Sequence, residues 1–177
     1  MNDSEDWGGP MSNLLVVFKK NFEQVHDESL HKVTQVLHDI SENFDVKFDL
    51  TAREKVTRAD FIGRDLVIVL GGDGTLTSIS HNIDADTPVI GVNSHPIEDY
   101  PNGSFGFYMD SDVHTFGEDI VTALKGEAII NEIPRLQAII DTTSGNRFTT
   151  DLQWMTYWLP IRINMRPVNT LSLIHIW

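Results

Sequence analysis

The chain contains no cysteine among its 177 residues. That excludes disulfides and thiolate metal sites, and it fits a reducing compartment. Nor is there a run of 18 apolar residues, the length a membrane-crossing helix requires, so no membrane span is expected. Positive charge is scarce: 13 Lys and Arg stand against 26 Asp and Glu, a formal charge of −13. Non-specific nucleic-acid binding draws its affinity from cations that neutralise phosphates, so nucleic acid is not an expected partner. The same imbalance repels free nucleotides. A nucleotide site here must therefore rely on Mg²⁺, loop N–H groups and a few local bases. The opening residues Met1-Asn2-Asp3-Ser4-Glu5-Asp6 are acidic, opposite in character to a signal or transit peptide, and the expected location is cytoplasmic. Hydrophobic content of 41% is enough for a packed core.

What is present is concentrated at residues 65–75. The apolar, β-branched run Leu66-Val67-Ile68-Val69-Leu70 reads as a parallel strand covered on both faces. It leads straight into Gly71-Gly72-Asp73-Gly74-Thr75. Glycine tolerates positive φ and lets backbone N–H groups approach a ligand closely, as a phosphate-cradling turn needs. Asp73 stands in the middle of that turn, where a substrate hydroxyl or a metal–phosphate can meet it. Leu76, Ile79 and Ile83 then recur at helical spacing. Strand, glycine turn, acid and helix together form a nucleotide-site arrangement. The turn is neither a P-loop, lacking Gly-Lys-Ser/Thr, nor the dinucleotide fingerprint Gly-x-Gly-x-x-Gly.

Gly71-Gly72-Asp73-Gly74-Thr75 resembles the shared motif of the NAD kinases and the lipid kinases with the same nucleotide-binding fold. A second marker separates the two. Pro88-Val89-Ile90-Gly91-Val92-Asn93 is another buried strand, followed by Gly103-Ser104-Phe105-Gly106-Phe107. This pair resembles the Gly-Val-Asn and Gly-x-x-Gly-Phe elements of the NAD kinases. The Gly-Thr-Gly-Asn-Asp element of diacylglycerol and sphingoid-base kinases is missing. Residues 94–102 form a longer insertion than the commonest bacterial forms carry, and resemble a divergent, mitochondrial-type or environmental branch. The resemblance covers residues 13–151. It implies phosphoryl transfer from ATP or polyphosphate to the 2′-hydroxyl of the adenosine ribose of NAD. It further implies Asp73 as general base, Gly71, Gly72, Gly74 and Thr75 as phosphate holders, and Mg²⁺ bridged by the phosphates with no protein ligand assigned. Asn93, ending its strand, is a candidate for the nucleotide site, and the parent enzyme is expected to be a homo-oligomer. Rival readings are a lipid kinase and a non-catalytic nucleotide-binding fragment.

Organisation along the chain supports a doubly wound parallel α/β sheet. A polar leader spans residues 1–12, and Leu14-Leu15-Val16-Val17-Phe18 is a first buried strand. Lys19 and Lys20 follow at its C-terminal end, the edge where open α/β sheets bind ligands. Both are candidate phosphate contacts, although exposed lysines are common. Leu30, Val33, Leu37, Ile40 and Phe44 have helical spacing, with Asp27 as an N-cap. Val46, Phe48 and Leu50 alternate as a strand. Residues 51–64 are polar and partly helical. A further helix over 113–126 ends at Gly126. His81 and His95 read as ordinary polar residues, and Glu98, Asp99, Asp110 and Asp112 as solvated loop charges. The α/β domain is expected over 13–130. Residues 135–150 carry a hairpin pattern, which begins a β-rich second domain at 131–151.

Beyond Asp151 the composition changes. No acidic residue occurs in 152–177, where about four are expected at the preceding density. Three of the four tryptophans, Trp154, Trp158 and Trp177, fall there. Leu171-Ser172-Leu173-Ile174-His175-Ile176 resembles a translated transposase sequencing adapter. Back-translating 153–161 from the third base of the Gln153 codon yields Met/Val-Asp-Asp-apolar-Leu whatever codons are used. That resembles the apolar-Asn-Asp/Glu-apolar NAD-binding element of the NAD kinases, with Asp in place of Asn. Residues 152–177 are therefore expected to be an out-of-frame, adapter-derived tail, and the chain as written to be inactive.

Overall fold

The computed structural model describes residues 13–20, 24–142 and 144–151, together with the backbone of 165–175. The expected leader and the tryptophan-rich stretch at 154–161 lie outside the described residues. The apolar runs become β1 (Asn13–Phe18), β3 (Leu66–Gly71) and β4 (Val89–Asn93), buried almost throughout. β2 (Lys47–Ala52) is an outer strand, and its Leu50 is exposed although Phe48, two residues earlier, is half-buried. The four pair in parallel in the order β2-β1-β3-β4, with Val16 lying between Leu50 and Ile68. The chain leaves β1 in one direction to reach β2 and returns on the other side for β3. The topological switch point therefore falls between β1 and β3, where such sheets bind ligands beyond their carboxyl ends.

Successive side chains of a strand point to opposite faces, and this alternation sorts the core into two layers. Leu14, Val16, Leu66, Ile68 and Leu70 pack with Val33, Leu37 and Ile40 of α1 (Gln24–Ser41) and with Phe116 and Ile120 of α4 (Phe116–Leu124). Leu15, Val17, Val67 and Val69 pack with Phe61 of α2 (Arg58–Phe61) and with Leu76 and Ile79 of α3 (Asp73–Ile79). Each such side chain, fully buried, contributes about 1.5–3 kcal/mol. A sheet covered on both faces is the doubly wound arrangement that the strand runs imply.

Several boundaries differ from the sequence reading. α1 starts at Gln24, so Asp27 belongs to its first turn rather than capping it. α3 starts at Asp73 itself and tightens into a 3₁₀ turn at Ser80–Asn82. α4 begins at Phe116, not 113, because Asp112 holds the preceding turn. Its Oδ1 accepts the amides of His114 (2.6 Å) and Thr115 (3.0 Å). Asp112 also lies in β5 (Ser111–Asp112), which pairs with β4, so it is not a solvated loop charge. Gly126, at φ +71°, stops α4 as expected.

The hairpin is present as β6 (Ile129–Asp141) and β7 (Arg147–Thr149). β8 (Met165–His175) runs antiparallel to β6 from Ile129 to Ala138 and meets β4 at one register pair, Val89 with Leu173. Arg135 of β6 is fully buried. Its Nη1 donates to the carbonyls of Ser80 and Ile83 (both 2.6 Å), just beyond α3. Burial pulls this guanidinium below its ordinary pKa, and Asp84 partly opposes the shift.

Candidate functional site

β1, β2, β3 and β4 all end on one cleft of about 720 Å³. Lys19 follows β1, Arg53 follows β2, the glycine turn follows β3, and Asn93 closes β4; all four border it. Ser104, from the loop after β4, supplies part of the opposite wall.

Asp73 is fixed from the loop side. Its Oδ2 accepts the amide of Phe107 at 3.0 Å and its Oδ1 the amide of Tyr108 at 2.9 Å. The two expected motifs are thus joined through one carboxylate. A carboxylate offers about four lone-pair sites, so two amide bonds leave capacity for a hydroxyl proton.

At Gly71 and Gly72 glycine serves space rather than backbone freedom, whereas a β-carbon at Gly74 would meet nothing within 4 Å. Gly71, Gly72 and Gly74 are absent from the glycines with positive φ. A β-carbon at Gly71 would fall 2.3 Å from Thr75 Oγ1, and Thr75 is itself buried. That corrects the expectation that positive φ explains this turn. Positive φ is required instead at Gly106 (φ +61°), where a β-carbon would also meet Asn93 Nδ2 at 2.6 Å.

Asn93, 4% exposed, spends its side chain on the insertion. Nδ2 donates to the Ser104 carbonyl (3.0 Å) and Oδ1 accepts the His95 amide (3.1 Å), which ties together the two ends of the loop. The Ser104 amide adds a bond to the His95 carbonyl at 2.7 Å, and Ser29 Oγ of α1 donates to the Ser94 carbonyl at 2.9 Å. The insertion is therefore a closed, anchored wall.

Of the two expected lysines, Lys19 is half-buried and borders the cleft, whereas Lys20 is exposed and does not. Arg53 was not anticipated. The rule that selected Lys19, a cation directly after a parallel strand, would have found it. His95, read as an ordinary polar residue, lies on the cleft wall with its ring edge-on to Tyr100, centroids 4.3 Å apart. Beside Asp73, Phe105 and Phe107 are 82% and 77% exposed on either side of Gly106. An acid, a close-packed glycine turn and two cations share one sheet edge, and two exposed rings stand on the loop that binds the acid, outside the cleft lining. The arrangement can hold an anionic ligand at the sheet, stack an aromatic one at the loop, and accept a proton between them.

The model of the ATP-NAD kinase N-terminal domain matches residues 13–128. An NAD kinase of Thermoplasma volcanium is 32% identical over 80 residues, covering 45% of this chain and 26% of that protein. An NADH kinase of Arabidopsis thaliana is 36% identical over 69 residues, covering 39% and 22%. The chain thus spans about a quarter of these two relatives. Two solved structures share the fold at lower identity. The yeast NADH kinase complexed with NADH aligns with TM-score 0.56 and 17% identity over 81% of this chain and 47% of its own. An NAD kinase from Archaeoglobus fulgidus in complex with ATP aligns with TM-score 0.52 and 15% identity over 79% and 58%.

Proposed function

Because the chain belongs to the NAD kinase family, carrying its N-terminal domain at residues 13–128, we propose that it derives from an enzyme making NADP from NAD. The reaction transfers the terminal phosphoryl group of ATP, or of polyphosphate, to the 2′-hydroxyl of the adenosine ribose. The observation that carries this reading is Asp73: a carboxylate on the cleft floor, held by the Phe107 and Tyr108 amides beside a turn too tight for any side chain at Gly71.

In the proposed step the ribose 2′-oxygen forms a bond to the terminal phosphorus as the bond to the donor's bridging oxygen breaks. Asp73 takes the hydroxyl proton, and ADP, or the shortened polyphosphate, leaves. Phosphoryl transfer is mainly positioning and charge neutralisation. Gly71, Gly72, Gly74 and Thr75 hold the donor phosphates, and the exposed faces of Phe105 and Phe107 offer stacking for a base. Asn93 acts indirectly, by fixing the wall at 94–104. Among the described residues no group of three or more His, Asp or Glu could hold a metal. A Mg²⁺ carried by donor phosphates near the single carboxylate Asp73 fits that donor set, since Mg²⁺ commonly binds through phosphates, one or two carboxylates and water. When bound, it supplies neutralisation of the phosphate charge.

Residues 131–151 are read as the start of a second, β-rich domain and 152–177 as out-of-frame sequence. The β8 strand is compatible with that origin, because an apolar run such as Leu171-Ser172-Leu173-Ile174 favours a strand whatever encodes it. The chain's short span of its relatives favours a second reading for the 177 residues as they stand: nucleotide binding without turnover. Calorimetry with ATP and Mg²⁺ beside an assay for NADP formation separates the two. Turnover restored by repairing the frame after codon 152 and appending the downstream coding sequence supports the kinase reading. A repaired protein that folds, binds ATP and leaves NAD unmodified would sink it.

A further inference from the structure

The ends of three adjacent strands form a row that leads to the glycine turn. The amide of Arg53, just past β2, donates to the carbonyl of Phe18, the last residue of β1 (2.8 Å). The amide of Lys19, next after Phe18, donates to the carbonyl of Leu70 (3.1 Å), immediately before Gly71. Arg53, Lys19 and Gly71 therefore follow one another across the sheet edge, with Arg53 two strand spacings from the turn, about 10 Å.

The row also inverts the chain's charge. Over the whole sequence acids outnumber cations 26 to 13, yet the charged residues bordering the cleft are Lys19, Arg53 and Asp73, apart from the ring of His95. Arg53 is braced: its Nη2 donates to Glu54 Oε1 at 2.8 Å. Partial burial pushes the Glu54 carboxyl up. Bonds from its own amide, from Arg53 and from the Lys20 amide outweigh that and hold it below its ordinary value. An exposed ion pair adds little stability, so its consequence is positional: it orients a planar guanidinium whose other N–H donors make no hydrogen bond to another described residue.

We propose that Arg53 binds the anionic tail of the phosphoryl donor, with Glu54 as its positioning residue, so that this wall selects donors carrying several phosphates. The inference rests on the nucleotide-cleft reading and goes beyond it, since the glycine turn alone does not distinguish one phosphate from three. A guanidinium two strands away is out of reach of a single phosphate seated at the turn but within reach of a tail extending along the row.

Binding of AMP, ATP and inorganic tripolyphosphate to the 177-residue chain, measured by calorimetry at fixed ionic strength, tests it. Arg53→Ala should weaken ATP and tripolyphosphate about tenfold, equivalent to about 1.4 kcal/mol, and AMP less than twofold. Arg53→Gln, which keeps most of the stem, should reproduce this if the alanine variant folds poorly. Glu54→Gln should weaken ATP about two- to threefold. Wild-type chain that binds none of the three ligands overturns the nucleotide-cleft reading and this inference with it. Wild-type chain that binds ATP, with variants that lose AMP and ATP equally or lose neither, overturns the role of Arg53 alone.

Discussion

Changing Asp73 to Asn removes one proton acceptor and keeps the size of the side chain, yet the geometry makes it a double perturbation. The carboxylate accepts two amides, from Phe107 and Tyr108. Each is a bond to a charged group, worth about 1.5 kcal/mol at the low end that a half-buried site warrants. Asn keeps one oxygen, with a neutral bond of about 1 kcal/mol, and turns an NH₂ group towards the second amide. The net loss is therefore about 2 kcal/mol, localised at the loop after β4. Opening of that loop should become about 30-fold easier, which amide hydrogen exchange at Phe107 and Tyr108 reads directly in the 177-residue chain. In a frame-repaired enzyme the missing base should in addition lower turnover about 10²-fold or more. NAD binding should weaken by a smaller factor, because the loop loosens without being lost. Unchanged exchange at both amides would refute the anchoring, and near-normal turnover would refute the base.

Three further substitutions probe the frame around the cleft. Gly71→Ala should destabilise the fold by about 1–3 kcal/mol in urea unfolding and reduce ATP binding, since its β-carbon would overlap buried Thr75; a variant as stable as wild type would show that the turn is not packed this way. Asn93→Ala should cost about 2 kcal/mol and raise exchange at the His95 amide, since that amide and the Ser104 carbonyl lose their partner. Arg135→Met should cost about 3 kcal/mol, because two carbonyls at the end of α3 lose a buried charged donor. Protection should fall along β6 before β1 or β3, and uniform loss across the sheet would contradict that docking role.

The sequence by itself determined the layered sheet and the place of its acid. Continuous apolar runs such as Leu14-Leu15-Val16-Val17 and Leu66-Val67-Ile68-Val69 can satisfy two buried faces only as inner parallel strands. Glycine directly after such a strand marks a ligand edge, so Asp73 and Lys19 were legible from local pattern. Helix starts were less so: α3 begins at Asp73 and α4 at Phe116, where turn bonds made by Asp112 compete with helical periodicity. Tertiary structure alone decided what surrounds the acid. Phe107 and Tyr108 bind Asp73 from 34 and 35 residues away, and Arg53 borders the cleft only because β2 pairs beside β1. Asn93, placed by its strand end among candidate nucleotide contacts, borders the cleft and also fastens its wall to residues 95 and 104. Hydrophobic periodicity is a property of neighbours along the chain, whereas the lining of a cleft depends on strand order, which brings distant residues together.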